Sequence, residues 1–186
     1  LINDGGVSAS AAVFTGKVDL GSNLLVGNAG STGIAISANG EVTMAAQPLV
    51  NAALGEKSNV TGDGTEYTII WDSERVDANA DFNTSNGIFT APITGKYLIS
   101  YVVAMAGLLS GHTGGYGAIV SSNKRYPIAN NPYATLDSAQ GVACIAHSVI
   151  ADMDAADTAY IVNTVTGGAA VVDIGTFSHL SIGLFA

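Results

Sequence analysis

A chain of 186 residues with 6 Lys+Arg against 15 Asp+Glu, a net charge of −9, has no cationic footprint for phosphate. That excludes nucleic acid as a partner and argues against anionic membrane surfaces. A hydrophobic fraction of 48% with 11% charged residues suffices for one cored domain, with or without an appendage.

The first 47 residues are Gly, Ser, Ala, Asn and Val with short apolar pairs, and Phe14 is their only aromatic. A segment without large side chains cannot build a compact core alone. "GKVDL" at Gly16–Leu20 recurs as "GEVTM" at Gly40–Met44, each a Gly turn followed by alternation. "GIAIS", with Ile34 and Ile36, lies between them. Such units need stacked neighbours or other copies of the chain to cover their apolar face. The segment 1–47 is therefore read as a β-rich stalk or attachment segment. The chain opens on Leu1 without a basic-plus-apolar leader, which fits a processed product or the ordered part of something longer.

All seven Tyr, Trp71 and the other four Phe follow in residues 48–186, read as one head domain. Helical periodicity is nearly absent. Short strands bounded by turn residues are predicted near 48–54, 66–72, 86–91, 96–106, 116–121, 125–129, 141–151, 157–165, 169–174 and 177–186. This spacing indicates a sandwich or jelly roll. In "GIFTAPITGKYLISY" Pro92 cannot donate to a ladder and Gly95 permits a tight turn, which predicts a corner between strands. In the strand after it, Tyr97, Ile99, Tyr101, Val103 and Met105 share one face; Leu98, Ser100, Val102 and Ala104 share the other. Neither face is charged, so one should meet the chain's own sandwich and the other a sister subunit. No window reaches the roughly eighteen uninterrupted apolar residues of a bilayer span, so no membrane insertion is expected.

The chemistry-bearing residues are sparse. Cys144 sits among apolar neighbours and reads as a buried small hydrophobe rather than a thiol activated by His147. His112, His147 and His179 lack metal spacing to one another or to Cys144. Ser178, His179 and Asp173 could be written as a triad, but no nucleophile elbow accompanies them. Paired carboxylates for polysaccharide cleavage would have to come from Asp137, Asp152 or Asp173, which the sequence does not bring together. The run Asp77-x-Asn79-x-Asp81 starts like a calcium loop, yet Phe82 replaces its Gly and Ile88 its closing Glu. The chain is read as not an enzyme and as holding no cofactor. Loops on a rigid β scaffold are where recognition lies, and His112, Tyr116, Lys124, Arg125 and Tyr133 are the candidate ligand-loop residues.

The corner motif, Gly87, Phe89, Pro92, Gly95, Tyr97 and Tyr101, resembles the core signature of the complement component 1q globular head, one of the tumour-necrosis-factor-like jelly rolls. "YTIIWDSERVDANADFNTSN" looks like that family's preceding strand and loop. "MDAADTAYIVN" is similar to its later turn and strand, with Ala156 where Gly usually precedes Asp157. "SHLSIGLFA" matches its last strand, with Ile182 departing from a common Gly-aromatic arrangement. The resemblance covers about residues 48–186. It implies an all-β, ten-stranded jelly-roll sandwich that packs as compact homotrimers, with aromatic and aliphatic residues along the threefold and binding rather than catalysis as its work. On that reading Tyr97, Tyr101, Val103, Met105, Ile145, His147, Leu180 and Ile182 are expected at the trimer interface. Related heads can hold calcium near the trimer apex, which leaves Asp72, Asp77 and Asp81 open as a looser site; calcium is not favoured.

A second resemblance concerns the connector. Gly33, Ile34, Ile36, Ser37, Gly40, Val42, Thr43, Met44, Gln47 and Pro48 are similar to the strand pair that leads through "QP" into the head of bacteriophage fibre proteins. Together the resemblances imply a virion protein exposed on capsid or tail. It would be a homotrimeric fibre with a β-rich trimeric stalk, joined to other virion proteins by its N-terminal segment. Its head would bind a host-surface glycan or protein. The alternative is a purely architectural capsid decoration or tail component with no receptor role.

Overall fold

The computed structural model describes residues 25–26, 33–37, 39–129 and 141–186, and no helix occurs among them. The chain divides into two compact units, Leu1–Ala45 and Ala46–Ala186. In the first, β1 (Leu25–Val26), β2 (Gly33–Ile36) and β3 (Val42–Met44) form an antiparallel three-stranded sheet, with Ile34 opposite Met44 and Ile36 opposite Val42. Val42 is 60% exposed and Met44 and Ile34 are exposed too, so these three side chains find little cover among the described residues. The Gly16–Leu20 copy of the repeat lies outside the described residues.

The second unit contains β4 (Leu49–Ala53), β5 (Lys57–Thr61), β6 (Glu66–Thr68), β7 (Ser73–Asp77), β8 (Phe82–Asn83), β9 (Ile88–Thr90), β10 (Gly95–Leu108), β11 (Gly114–Ser121), β12 (Arg125–Ala129), β13 (Gly141–Met153), β14 (Thr158–Thr166), β15 (Val172–Ile174) and β16 (His179–Leu184). They form two sheets. One is seven-stranded, in the order β5-β15-β10-β16-β4-β7, with β13 along the other edge of β10. The second is six-stranded, in the order β12-β11-β14-β9-β8, with β6 on β14. Between them lies a core whose largest fully buried members include Trp71, Tyr97, Tyr101, Phe89, Ile69 and Met105. Strands β5, β7 and β8 are absent from the sequence reading. "KSNVT" and "SERVD" each carry a single apolar residue, so neither shows the alternation of a half-buried strand. They end the β15 and β4 branches of the first sheet, where charged side chains guard against stray pairing.

The corner before β10 forms as the sequence predicts. After β9 the chain turns through Ala91–Thr94 and re-enters as β10 at Gly95. Tyr97 Oη donates to the Ile93 carbonyl at 2.7 Å, and its ring packs 5.4 Å from that of Phe89. The Ala156 amide donates to the Ala91 carbonyl at 2.8 Å, fastening the β13–β14 turn to the same corner. Gly87 must be glycine: its φ is +72° and a Cβ would run into the Ile69 carbonyl.

Ala156 itself has φ 74°, the left-handed region that disfavours a Cβ, at the position where the resemblance expects glycine. Ala156→Gly is therefore expected to stabilise the head by up to about 1 kcal/mol, part of the relieved strain being offset by glycine's greater freedom in the unfolded chain. A rise in the thermal unfolding midpoint checks this; a fall would mean that the turn is not held in this conformation.

Candidate self-association face

The residues expected at the trimer interface point the other way. Tyr97, Tyr101, Val103 and Met105 of β10, Ile145 of β13, and Leu180 and Ile182 of β16 are buried inside the chain's own sandwich. Tyr101 is 1% exposed and has no surface left to offer a second copy. Burial pushes its phenol well above the usual range. Half-buried His147 stands opposite Tyr101 in the ladder, their rings 6.3 Å apart edge to face. For the seven buried residues the interface assignment is corrected to a core assignment; half-buried His147 is not among the core residues. The reason is volume: bulky aromatic and aliphatic side chains fill the space between two sheets, leaving the smaller members of the alternation outside.

The outward set forms a regular surface on β13, β10, β16 and β4. The register places Ile150, Leu98, Gly183 and Leu49 in one row across the four strands. The next row is Ser148, Ser100, Ser181 and Asn51, and the next Ala146, Val102, His179 and Ala53. None of these twelve positions carries Asp, Glu, Lys or Arg, in a chain with a net charge of −9. Leu98 is 43% exposed, Ile150 52% and Leu49 51%. Gly183 leaves a hollow of about 220 Å³ walled by Leu49, Leu98 and Phe185. Charge begins at the rim, where Lys96 Nζ pairs with Asp152 Oδ1 at 2.5 Å. An uncharged, partly apolar patch with a charged border is compatible with a protein interface.

Cys144 belongs to this outward set and is exposed, which corrects the buried reading. It stands an odd number of residues from inward-facing His147, so strand alternation sends the two to opposite faces. The Ser178–His179–Asp173 combination is likewise not assembled. Buried Ser178 Oγ donates to the Gly175 carbonyl at 2.7 Å and accepts from the Ala104 amide at 2.9 Å. His179 is exposed, and Asp173 Oδ1 accepts from the Asn59 amide at 2.7 Å.

The predicted ligand-loop residues divide. His112 is fully buried: Nδ1 accepts from the Leu109 amide at 2.8 Å, which directs the Nε2 hydrogen to the Ala169 carbonyl at 3.2 Å. It locks two loops together and is corrected from a ligand contact to a structural one. Tyr116 and Arg125 do come together. The guanidinium lies 5.3 Å from the Tyr116 ring centroid, and Glu66 takes hydrogen bonds from both Arg125 and the Tyr116 hydroxyl. The bond from Arg125, opposed by burial, holds the Glu66 carboxyl below its usual range. The cluster is satisfied within the chain. Lys124 is exposed, its Nζ 5.3 Å from the Tyr126 ring centroid. Tyr133 and Asp137 lie outside the described residues.

No family model matches this chain, and no curated protein matches it. Solved structures do. The globular domain of zebrafish complement 1qA aligns with a TM-score of 0.53 and 12% identity, over 75% of this chain and 98% of that one. Eiger TNF from S. frugiperda aligns at 0.55 and 13%, over 75% and 93%. Murine APRIL aligns at 0.50 and 10%, over 75% and 99%. At such identities the likeness speaks for the fold, and the fold is the complement component 1q and tumour-necrosis-factor-like jelly roll.

The carboxylates raised by the calcium question have other work. Asp72 accepts from the Gly55 amide at 2.8 Å and pairs with Lys57 at 2.5 Å. Asp77 accepts from the amides of Asp81 and Phe82, both at 3.0 Å, which shapes the turn after β7. Among the described residues no group of three or more His, Cys, Asp or Glu gathers to hold a metal. Asp81 Oδ2 is buried without a partner, and burial, then the Asp77 carboxylate, raise its carboxyl above the ordinary 3.8. A raised folded-state value means the stability tied to this group is present below the unfolded value and lost as pH rises through the folded one. Asp81→Asn should therefore raise the unfolding midpoint at pH 7, with the gain vanishing near pH 3, where both side chains are neutral. An unchanged difference between the two pH values would contradict this account.

Proposed function

We propose that the chain is a homotrimeric structural virion protein, a phage fibre, and not an enzyme. A β-rich N-terminal segment would join other virion proteins, and the jelly-roll head would project and mediate host-surface recognition. The observation that carries the self-association part is the charge-free outward face of β13, β10, β16 and β4. Identical chains with a net charge of −9 repel, and this surface lets them approach without opposing like charges at close range. Exposed Ile34, Val42 and Met44 in the first unit support its engagement with other chains. The virion assignment rests on the resemblance of the Gly33–Pro48 connector to those of phage fibres. Three tethered copies of a weak site would gain avidity without any new contact.

Light scattering on the full chain is expected to give three times the 18.7 kDa chain mass. Leu98→Asp places a charge in the exposed apolar row of the face and is expected to yield folded monomers. A wild-type chain that stays monomeric at high concentration would sink the trimer reading.

The receptor role has its own test, a binding screen against host-surface glycans. Saturable binding that weakens at least ten-fold when the head is made monomeric by Leu98→Asp is expected. Absence of binding by the trimer would leave the architectural role.

A further inference from the structure

We infer that the polar row Ser148–Ser100–Ser181–Asn51 fixes the register in which copies of the chain meet, through a hydrogen bond from the Ser100 hydroxyl of one copy to Asn51 Oδ1 of the next. This rests on the self-association reading and adds the pair that would specify it.

The row crosses the centre of the charge-free face, one residue per strand, with the Leu98 row on one side and the Val102 row on the other. Its internal hydrogen bonds leave an uneven remainder. Ser148 Oγ and Ser100 Oγ share one bond at 2.7 Å, so whichever donates, one hydroxyl hydrogen of that pair stays unused. At the other end Asn51 Nδ2 donates both its hydrogens, to the Leu180 carbonyl at 3.2 Å and to Ser181 Oγ at 3.0 Å. The carbonyl can only accept, which settles which amide atom is nitrogen. Asn51 Oδ1 is left without a hydrogen-bond partner among the described residues.

The row therefore has an unused hydroxyl hydrogen in the Ser148–Ser100 pair and another on Ser181, whose Oγ accepts from Asn51, against a surplus acceptor at its β4 end. Adjacent strands lie about 4.8 Å apart, so Ser100 and Asn51, two strands apart, stand roughly 10 Å from each other within one chain. They cannot satisfy each other there. A ring of copies meets through two different patches of the same surface, and a row with unlike ends suits that closure. The occupant is a second copy because the chain is strongly acidic yet these rows carry no Asp, Glu, Lys or Arg, so that identical faces can approach without opposing like carboxylates. A polar pair inside an otherwise apolar contact selects one alignment, since any slip buries the acceptor without its donor. Every member of the row lies outside the sandwich core, so it can be altered without emptying that core.

The test is a double-mutant cycle on the full chain, reading the concentration of half-dissociation by sedimentation. Ser100→Ala and Asn51→Ala are each expected to raise that concentration at least ten-fold, and the double variant no further than the stronger single. Coupling between residues this far apart in one chain reports contact across copies. Ser100→Thr, which keeps the hydroxyl, is expected within about two-fold of wild type. Should Asn51→Ala lose its fold with its bonds to β16, the Ser100→Ala and Ser100→Thr comparison decides alone. A wild type that associates while the Ala variants match it, or add independently, overturns this inference and leaves self-association standing. A wild type that never associates overturns both.

Discussion

Strand β10 is the element on which the rest of the head hangs. It runs for 14 residues and is paired along both edges, with β13 from Gly95 opposite Met153 to Met105 opposite Ala143, and with β16 from Tyr97 opposite Leu184 to Val102 opposite His179. A strand so placed must serve two surfaces at once. Its even and odd residues are locked in antiphase, and a slip by one residue would exchange core for surface along its whole length. The corner prevents the slip. Tyr97 closes back on Ile93, Lys96 pairs with Asp152, and the Lys96 carbonyl receives the Phe185 amide at 2.7 Å. The Pro92 and Gly95 break is thus the register mark for both faces of the sheet.

The distribution of charge follows from that arrangement. The ion pairs of the described head are Lys57–Asp72, Lys96–Asp152 and Arg125–Glu66, and none stands in the three central rows of β13, β10, β16 and β4. Partly exposed pairs of this kind contribute little stability. Their placement matters more: one marks the rim of the outward face, and another ties the Tyr116 cluster shut. In a strongly acidic chain, an uncharged, half-apolar face is the feature on which the proposed self-association rests. Lacking a charged centre, the face would rely on shape and burial for affinity, and on the polar row for alignment.

Much of this was legible in the sequence and one thing was inverted. The aromatic corner, the two-sided apolar alternation of residues 96–106 and the scarcity of helical period all pointed to the jelly roll. Which half of the alternation faced outward was read backwards. Both halves are apolar enough to be buried, and the aromatic half was assigned to a neighbour. The usable signal was size: Tyr97, Tyr101 and Met105 can span the gap between two sheets, whereas Leu98, Ser100, Val102 and Ala104 cannot fill it. Cys144 was misplaced for the same reason, its apolar neighbours in sequence being on the other face of the strand or outward themselves. The edge strands β5 and β7 left no alternation to find, because a strand with little to bury has no hydrophobic period. His112 looked like a loop residue open to ligand; its fixed tautomer and its place between two loops are tertiary facts.

The account stands or falls on whether the outward face of β10 is covered by another copy. A chain whose one thiol stands in the exposed apolar row of that face, Leu98→Cys combined with Cys144→Ser, allows that to be measured directly. The observable is the rate of thiol alkylation as a function of protein concentration. A rate that drops at least ten-fold as the chain is concentrated into its associated form is the expected result. A rate that stays the same at every concentration while the mass rises to that of a trimer would show that the copies meet elsewhere and contradict the account.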